Sequence, residues 1–161
     1  MSAAGVGTPV TDRLVRWLRE SAVKFDVLEH EPVRTSEEAA RVRGTPLEDG
    51  AKALVVRADD RYVHVVLAAH LKLDNAALRA LLGTRKVRFA TPDELLQLTG
   101  CTPGAVPPFG NLFDLPVIAD EALAGRERIV FNAGSNAVSI TMSAVDFFRL
   151  SGATVSRIAR A

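Results

Sequence analysis

Apolar positions recur along the chain with two different spacings, and each change of spacing marks an element. In TDRLVRWLRESAV, Leu14, Trp17, Leu18 and Ser21 share one face of a helix, with Thr11 as the expected N-cap. KFDVLEH alternates, Phe25, Val27 and Glu29 against Asp26, Leu28 and His30, as a short strand does. TSEEAARVRG has the capping-box pattern, Thr35 with Glu38 three residues on, and Gly44 as its stop. AKALVVRADDRYVHVVLAAH is two nearly continuous apolar runs around ADDR, which predicts a hairpin covered on both faces.

The second half follows the same grammar. DNAALRALLG is a short helix between Asp74 and Gly83, and KVRFA a short strand. TPDELLQLTG is a helix started by Thr91, Pro92 and Glu94 and stopped by Gly100. LPVIAD and RIVFNAG read as strands around an EALAG turn. AVSITMS pairs with the second of them across NAGSN. SAVDFFRLSG is a helix capped by Ser143, and TVSRIA a last strand. Residues 1–8 carry no pattern and are expected to be flexible. Hairpins dominate the connections, so the prediction is a single α/β (α+β) domain over residues 1–161, with helices packed on a mixed, largely antiparallel sheet.

Composition narrows the function. The chain has 161 residues, 48% hydrophobic and 24% charged, enough for a core without staples. A net charge of +1 excludes a strongly basic nucleic-acid binder but not an enzyme that touches RNA at a few phosphates. Cys101 is the single cysteine, so no internal disulfide forms, and three scattered histidines supply no zinc-ligand spacing. The start lacks a signal-peptide core, and no run approaches about 20 apolar residues. The expected protein is cytoplasmic and soluble, with no membrane partner and no metal.

Common catalytic engines are missing. There is no phosphate-binding G-x-x-x-x-G-K-[ST], no dinucleotide fingerprint and no nucleophile elbow. Cys101 follows a helix stop in a proline-rich loop, with no adjacent base to activate it. Lys52 is the odd charge, standing at the mouth of an apolar strand. Its stem can cover the sheet edge while the ammonium reaches water, or it can line a pocket as a fixed cation. FNAGSNAV offers Asn132, Gly134, Ser135 and Asn136 as a plain turn or as a polar pocket edge. His30 and His70 read as surface groups, and His64 as a core or interface histidine. GCTPGAVPPFG is an apolar loop stiffened by proline, either a crossover against the core or one wall of a pocket.

Taken in order, LEHEPVRTSEEAA, AKALVVR, GAVPPFG, PVIADEAL and VFNAGSNAVSITMSAVDFFRL resemble the YbaK/ProX family over roughly residues 23 to 158. These are aminoacyl-tRNA deacylases related to the editing domain of bacterial prolyl-tRNA synthetase. The resemblance implies a partly closed central sheet, no cofactor, and hydrolysis in trans of a mischarged ester. The expected substrate is tRNA for proline carrying a small non-cognate residue such as cysteine or alanine. Lys52 matches the family's functional lysine. Gly104 to Pro108 match its G-x-x-x-P loop, and Asn132 to Asn136 its glycine-bearing turn.

From this follow the expected site residues. Lys52 with the backbone of Gly104 and Ala105 would serve catalysis. Thr35, Val106, Pro107, Pro108, Phe109, Asn132, Gly134, Ser135 and Asn136 would hold the substrate, with Pro108 and Phe109 as wall. The nucleophile would be water or the thiol of a cysteinyl substrate. Some relatives have asparagine after the lysine and histidine in the later turn. Here Ala53 follows Lys52, and the turn has no histidine. The partner is the 3′ CCA end of an aminoacyl-tRNA, met through a cluster of Arg41, Arg43, Arg85, Lys86 and Arg88, and a docked synthetase would add affinity. The alternatives are a non-catalytic tRNA-, nucleotide- or synthetase-binding module on the same fold, and a small hydrolase for another ester.

Overall fold

The structure, a computed structural model, describes residues 7–161. Most of the flexible lead expected at residues 1–8 lies outside the described residues. Helix α1, Pro9–Glu20, starts one turn earlier than expected: Thr8 is the N-cap, and Thr11 completes a capping box with it. Pro9 suits the first helical position, where no backbone donor is needed. Strand β1, Phe25–Glu29, leads to α2, Ser36–Arg43. Thr35 caps α2 through the Glu38 amide, but the Glu38 carboxylate takes the Thr35 hydroxyl rather than closing the box on the backbone.

The predicted hairpin is β2, Ala51–Ala58, and β3, Arg61–Ala68, in full register from Ala51↔Ala68 to Ala58↔Arg61. A short β4, Lys72–Leu73, precedes α3, Asn75–Leu82; β5, Val87–Phe89; and α4, Pro92–Thr99. Then come β6, Val117–Asp120; α5, Glu121–Ala124; β7, Arg128–Asn132; β8, Val138–Ser143; and α6, Ala144–Ser151. The expected last strand splits into β9, Thr154–Ser156, and β10, Ala159–Arg160.

Five strands form one mixed sheet in the order β5-β2-β3-β6-β9, in which β3, β6 and β9 run parallel. A second sheet, β1-β8-β7, is antiparallel. The EALAG segment is therefore not a hairpin turn: α5 carries the chain from one sheet to the other. A parallel bridge from Gly50 to Val130 joins the start of β2 to β7, so the sheets meet beside Lys52. Among the described residues no helix is long and apolar enough to cross a membrane.

The core has three parts. Leu14 and Leu18 of α1 pack with Phe109, Phe131, Ile140 and Phe147. Val56, Val63, Val65 and Leu67 pack with Leu78, Ile118 and Ile158. A smaller group, Val55, Leu95, Cys101, Ala105, Val106 and Leu115, lies under the loop that follows α4. The hairpin is buried on both faces because all three groups share it, Val56, Val63, Val65 and Leu67 on one face and Ala51, Val55, Val66 and Ala68 on the other, which is why its pattern is continuous rather than alternating.

Candidate active site

The mouth of β2 opens into a cleft of about 500 Å³. Three structures enclose it. Thr35, Ala39 and Arg43 recur every fourth residue on one side of α2, and helical geometry puts them on a single face. Ala51 to Leu54 and Ala69 form the sheet wall, while Thr102, Pro103, Gly104 and Val106 form the loop wall, with Asn132 and Asn136 between. Among the described residues the lining includes Arg34, Arg43 and Lys52 but no carboxylate. A volume of this order suits a small ligand or the end of a larger one.

Lys52 is half-buried, and its Nζ donates to the Ala69 carbonyl at 3.3 Å. Burial lowers its pKa from the ordinary 10.5; Glu37 acts against that shift and Lys72 adds to it. The Lys52 Nζ stands at the cleft, where a pocket cation would be placed.

Arg43 is a second cation in the wall. Burial lowers its pKa to about 10, which still leaves it protonated. Among the described residues it makes no ion pair. It donates instead from Nη2 to Asn132 Oδ1 at 2.9 Å and from Nε to Ser139 Oγ at 2.8 Å. Asn132 passes the contact on, its Nδ2 donating to the Gly104 carbonyl at 2.7 Å. An arginine has no acceptor, so its charge fixes which end of the Asn132 amide faces the loop. Ser139 then offers its hydroxyl proton to His30 Nε2 at 2.7 Å, while His30 Nδ1 donates to the Glu31 carbonyl. His30 is thus partly buried in a network, where the sequence suggested a free surface group.

The loop GCTPGAVPPFG divides its residues between cleft and core. Gly104 sits at φ +83°, a conformation that glycine reaches without strain. It and Val106 face the cleft. Ala105 is buried behind them, and its amide donates to the Thr102 carbonyl at 3.1 Å, so that donor is already used. Pro107 and Pro108 are buried. Phe109 is fully buried, edge-on to Trp17, Phe131 and Phe147. The expectation that Phe109 and Pro108 form the pocket wall is corrected: an aromatic ring gains far more from the core than from a solvated cleft. Pro107 acts through its carbonyl, which meets Nε2 of the fully buried His64 at 2.9 Å and anchors the loop to β3.

The turn divides in the same way. Asn132 and Asn136 reach the cleft. Gly134 packs against α1, its amide donating to the Ala105 carbonyl and its own carbonyl accepting from Thr8 Oγ1. Ser135 is buried and accepts from the Ala137 amide. Cys101 is buried, and burial raises its thiol pKa, the reverse of an activated nucleophile. The expected cationic cluster also separates. Arg43 lies in the cleft wall and Arg41 is exposed on α2, while Arg85, Lys86 and Arg88 line a different groove.

Residues 30–150 match the family described as the aminoacyl-tRNA editing domain. The multifunctional Ser/Thr-tRNA deacylase ProXp-y of Escherichia coli K12 is 34% identical over 155 residues, 93% of each chain. The prolyl-tRNA editing protein ProX of Acetoanaerobium sticklandii is 30% identical over 139 residues, 83% of this chain and 85% of that one. A crystal structure described as a candidate trans-editing enzyme for prolyl tRNA synthetase superposes with a TM-score of 0.84 at 27% identity, covering 96% of this chain and 99% of that one. The chain belongs to the aminoacyl-tRNA editing domain family.

Proposed function

We propose that the cleft hydrolyses, in trans, the ester that joins a small non-cognate amino acid to the 3′ end of a tRNA. The observation that carries this reading is the cleft's charge: Lys52, Arg43 and Arg34 line it with no carboxylate among them. Such a site favours a ligand that brings its own negative charge, as the terminal nucleotides of a tRNA do. Lys52 and the amide of Gly104 are assigned to the ester carbonyl, where negative charge develops as water attacks. The tetrahedral intermediate collapses with release of the amino acid and the ribose hydroxyl. No acidic base lines the cleft, which suits an ester already activated by its ribose neighbour, attacked by water or, for a cysteinyl substrate, by its own thiol.

The ProXp-y relative is named for serine and threonine, the ProX relative for prolyl-tRNA. Asn132, Asn136 and Thr102 at the cleft suit a substrate hydroxyl, which supports reading serine and threonine as substrates ahead of alanine and cysteine. Sites that hydrogen-bond a substrate hydroxyl discriminate far better than apolar pockets that sense one methylene. The test charges tRNA for proline with serine, threonine, alanine, cysteine or proline and follows ester loss with purified protein. Rapid loss of the seryl or threonyl ester, with the prolyl ester spared, is expected. Lys52→Ala should slow that reaction about 10²–10³-fold while the fold persists. Slow, uniform loss across the panel would overturn the deacylase reading and favour a module that only binds tRNA ends.

A further inference from the structure

The molecule carries a net charge of +1, yet its cations are not evenly spread. A second groove, about 480 Å³, lies between α3, β5 and the β2–β3 turn. Arg57, Arg79, Arg85, Lys86 and Arg88 line it, and Asp59 is the one acid in the lining. That carboxylate is already used. Its oxygens accept from the Arg85 and Lys86 amides at 3.0–3.3 Å, pinning the backbone of the cationic segment. Arg88 is held by Glu94 through two hydrogen bonds of 2.7 and 3.0 Å, and Arg57 lies 5.8 Å from the Tyr62 ring centroid. Among the described residues Arg79, Arg85 and Lys86 make no ion pair.

Two further features give this groove a partner. Phe89, the next residue along β5, lies beside the groove rather than in its lining, on the face of the strand opposite Arg88; it is 57% exposed, a suitable platform for a base of a strand that passes the sheet edge. The groove also shares a helix with the cleft. Glu94, in the first turns of α4, meets Arg57 and Arg88, and the chain leaving α4 becomes the cleft wall at Thr102 to Gly104. Along β2, Lys52 and Arg57 are five residues apart, roughly 17 Å at the rise of an extended strand, and that odd spacing puts their side chains on opposite faces of the sheet. A polyanion whose end occupies the cleft would have to pass round the sheet edge at β5 for a more distant part of its backbone to meet the groove.

We propose that this groove binds the phosphate backbone of the tRNA at a distance from the aminoacylated end, adding affinity that the cleft alone does not supply. The proposal rests on the deacylase reading for its substrate. The groove's chemistry is nonetheless its own: several phosphates in a row, with one base against Phe89.

The test uses Arg79→Glu/Lys86→Glu and, separately, Phe89→Ala. Both sites are away from the cleft, and circular dichroism and thermal melts check the fold. Each variant is assayed on full-length aminoacyl-tRNA and on the same amino acid esterified to a CCA trinucleotide. The charge variant is expected to lose tenfold or more in kcat/KM on tRNA through KM, with kcat and the trinucleotide reaction unchanged. Its salt dependence should flatten by about one log unit per log unit of salt for each phosphate that is no longer neutralised. Phe89→Ala should weaken the tRNA reaction with its salt dependence unaltered. An unchanged tRNA reaction would overturn the proposal and leave the groove to an acidic protein surface. Equal losses on both substrates would overturn it too, since the effect would then travel through the cleft. Fluorescence anisotropy with uncharged labelled tRNA keeps the groove testable on its own: if no ester is cleaved, weaker binding by the variants still supports it, and equal binding still sinks it.

Discussion

At the scale of single residues, Arg43 is the one whose place the pattern did not give. The sequence offered it as one member of a cationic cluster for tRNA, whereas it stands in the cleft wall apart from Arg85, Lys86 and Arg88. Its fourfold spacing from Thr35 and Ala39 was the available signal, but nothing in the sequence says that this face meets a cleft. Lys52 was legible because a charge in an apolar run is conspicuous. Arg43 fixes the Asn132 amide, and Asn132 fixes the Gly104 carbonyl, so the guanidinium acts on the loop through another side chain. Arg43→Ala should therefore lower kcat about tenfold or more and leave the loop less ordered. Arg43→Lys keeps the charge but cannot serve Asn132 and Ser139 together, so it should restore binding better than turnover. Measuring kcat and KM for both variants separates this from a purely electrostatic role, in which lysine would restore both.

At the scale of elements, the legible parts were those with local causes. Caps, turn glycines and apolar period set α3, α4, α6 and the β2–β3 hairpin, and each forms where its pattern placed it. The misplaced parts depend on distant contacts. The start of α1 is fixed partly by Thr8 bonding to Gly134, 126 residues away, which no local pattern records. The parallel pairings of β6 with β3 and β9 likewise follow from packing. The loop GCTPGAVPPFG was legible as unusual but not as divided between cleft and core. Gly110 shows why the division is rigid. A Cβ there would lie 2.7 Å from His64 Cβ, 2.8 Å from the Leu115 carbonyl and 2.9 Å from Val117 Cγ2. Two of those neighbours are strand side chains in the buried sheet and the third is backbone, so none can give way easily. Gly110→Ala is expected to cost about 1–3 kcal/mol as overpacking, read as a lower urea midpoint with an unchanged slope. A loss much smaller than that would mean the loop can shift away from β3. A similar local clamp closes the C-terminus, where Asp120 accepts from the Ala122, Ile158 and Ala159 amides. Asp120→Ala removes both acceptor oxygens, and with them all three hydrogen bonds, and should destabilise by roughly 2–4 kcal/mol, whereas Asp120→Asn keeps one oxygen and should cost less.

At the scale of the whole molecule, one buried group ties stability to pH. His64 is fully buried, and Nε2 must donate to the Pro107 carbonyl, since a carbonyl only accepts. Nδ1 is then the unprotonated nitrogen, and among the described residues it has no hydrogen-bond partner. A second proton there would place an unmatched charge in the core, and burial accordingly lowers the His64 pKa from 6.5 to about 4. In the unfolded chain the same ring titrates near 6.5. Between those values the unfolded state binds more protons than the folded one, so stability is complete above about pH 6.5 and falls as the pH drops toward 4. The loss should be roughly 2 kcal/mol at pH 5 and about 3 at pH 4. Glu94, held below the usual carboxylate range chiefly by Arg88, stabilises above its ordinary value of 4.5 and loses that contribution as the pH falls below it, and the Arg43 and Lys52 shifts act on the alkaline side. The interval from pH 7 to 5 therefore isolates His64 among the shifted groups. Urea unfolding at those two values should show the decline in wild type, and His64→Gln, which can still donate to Pro107 but does not titrate, should remove most of it. Equal slopes in both proteins would mean that the ring takes up its proton without leaving the core, and that the loop it anchors does not depend on its being neutral.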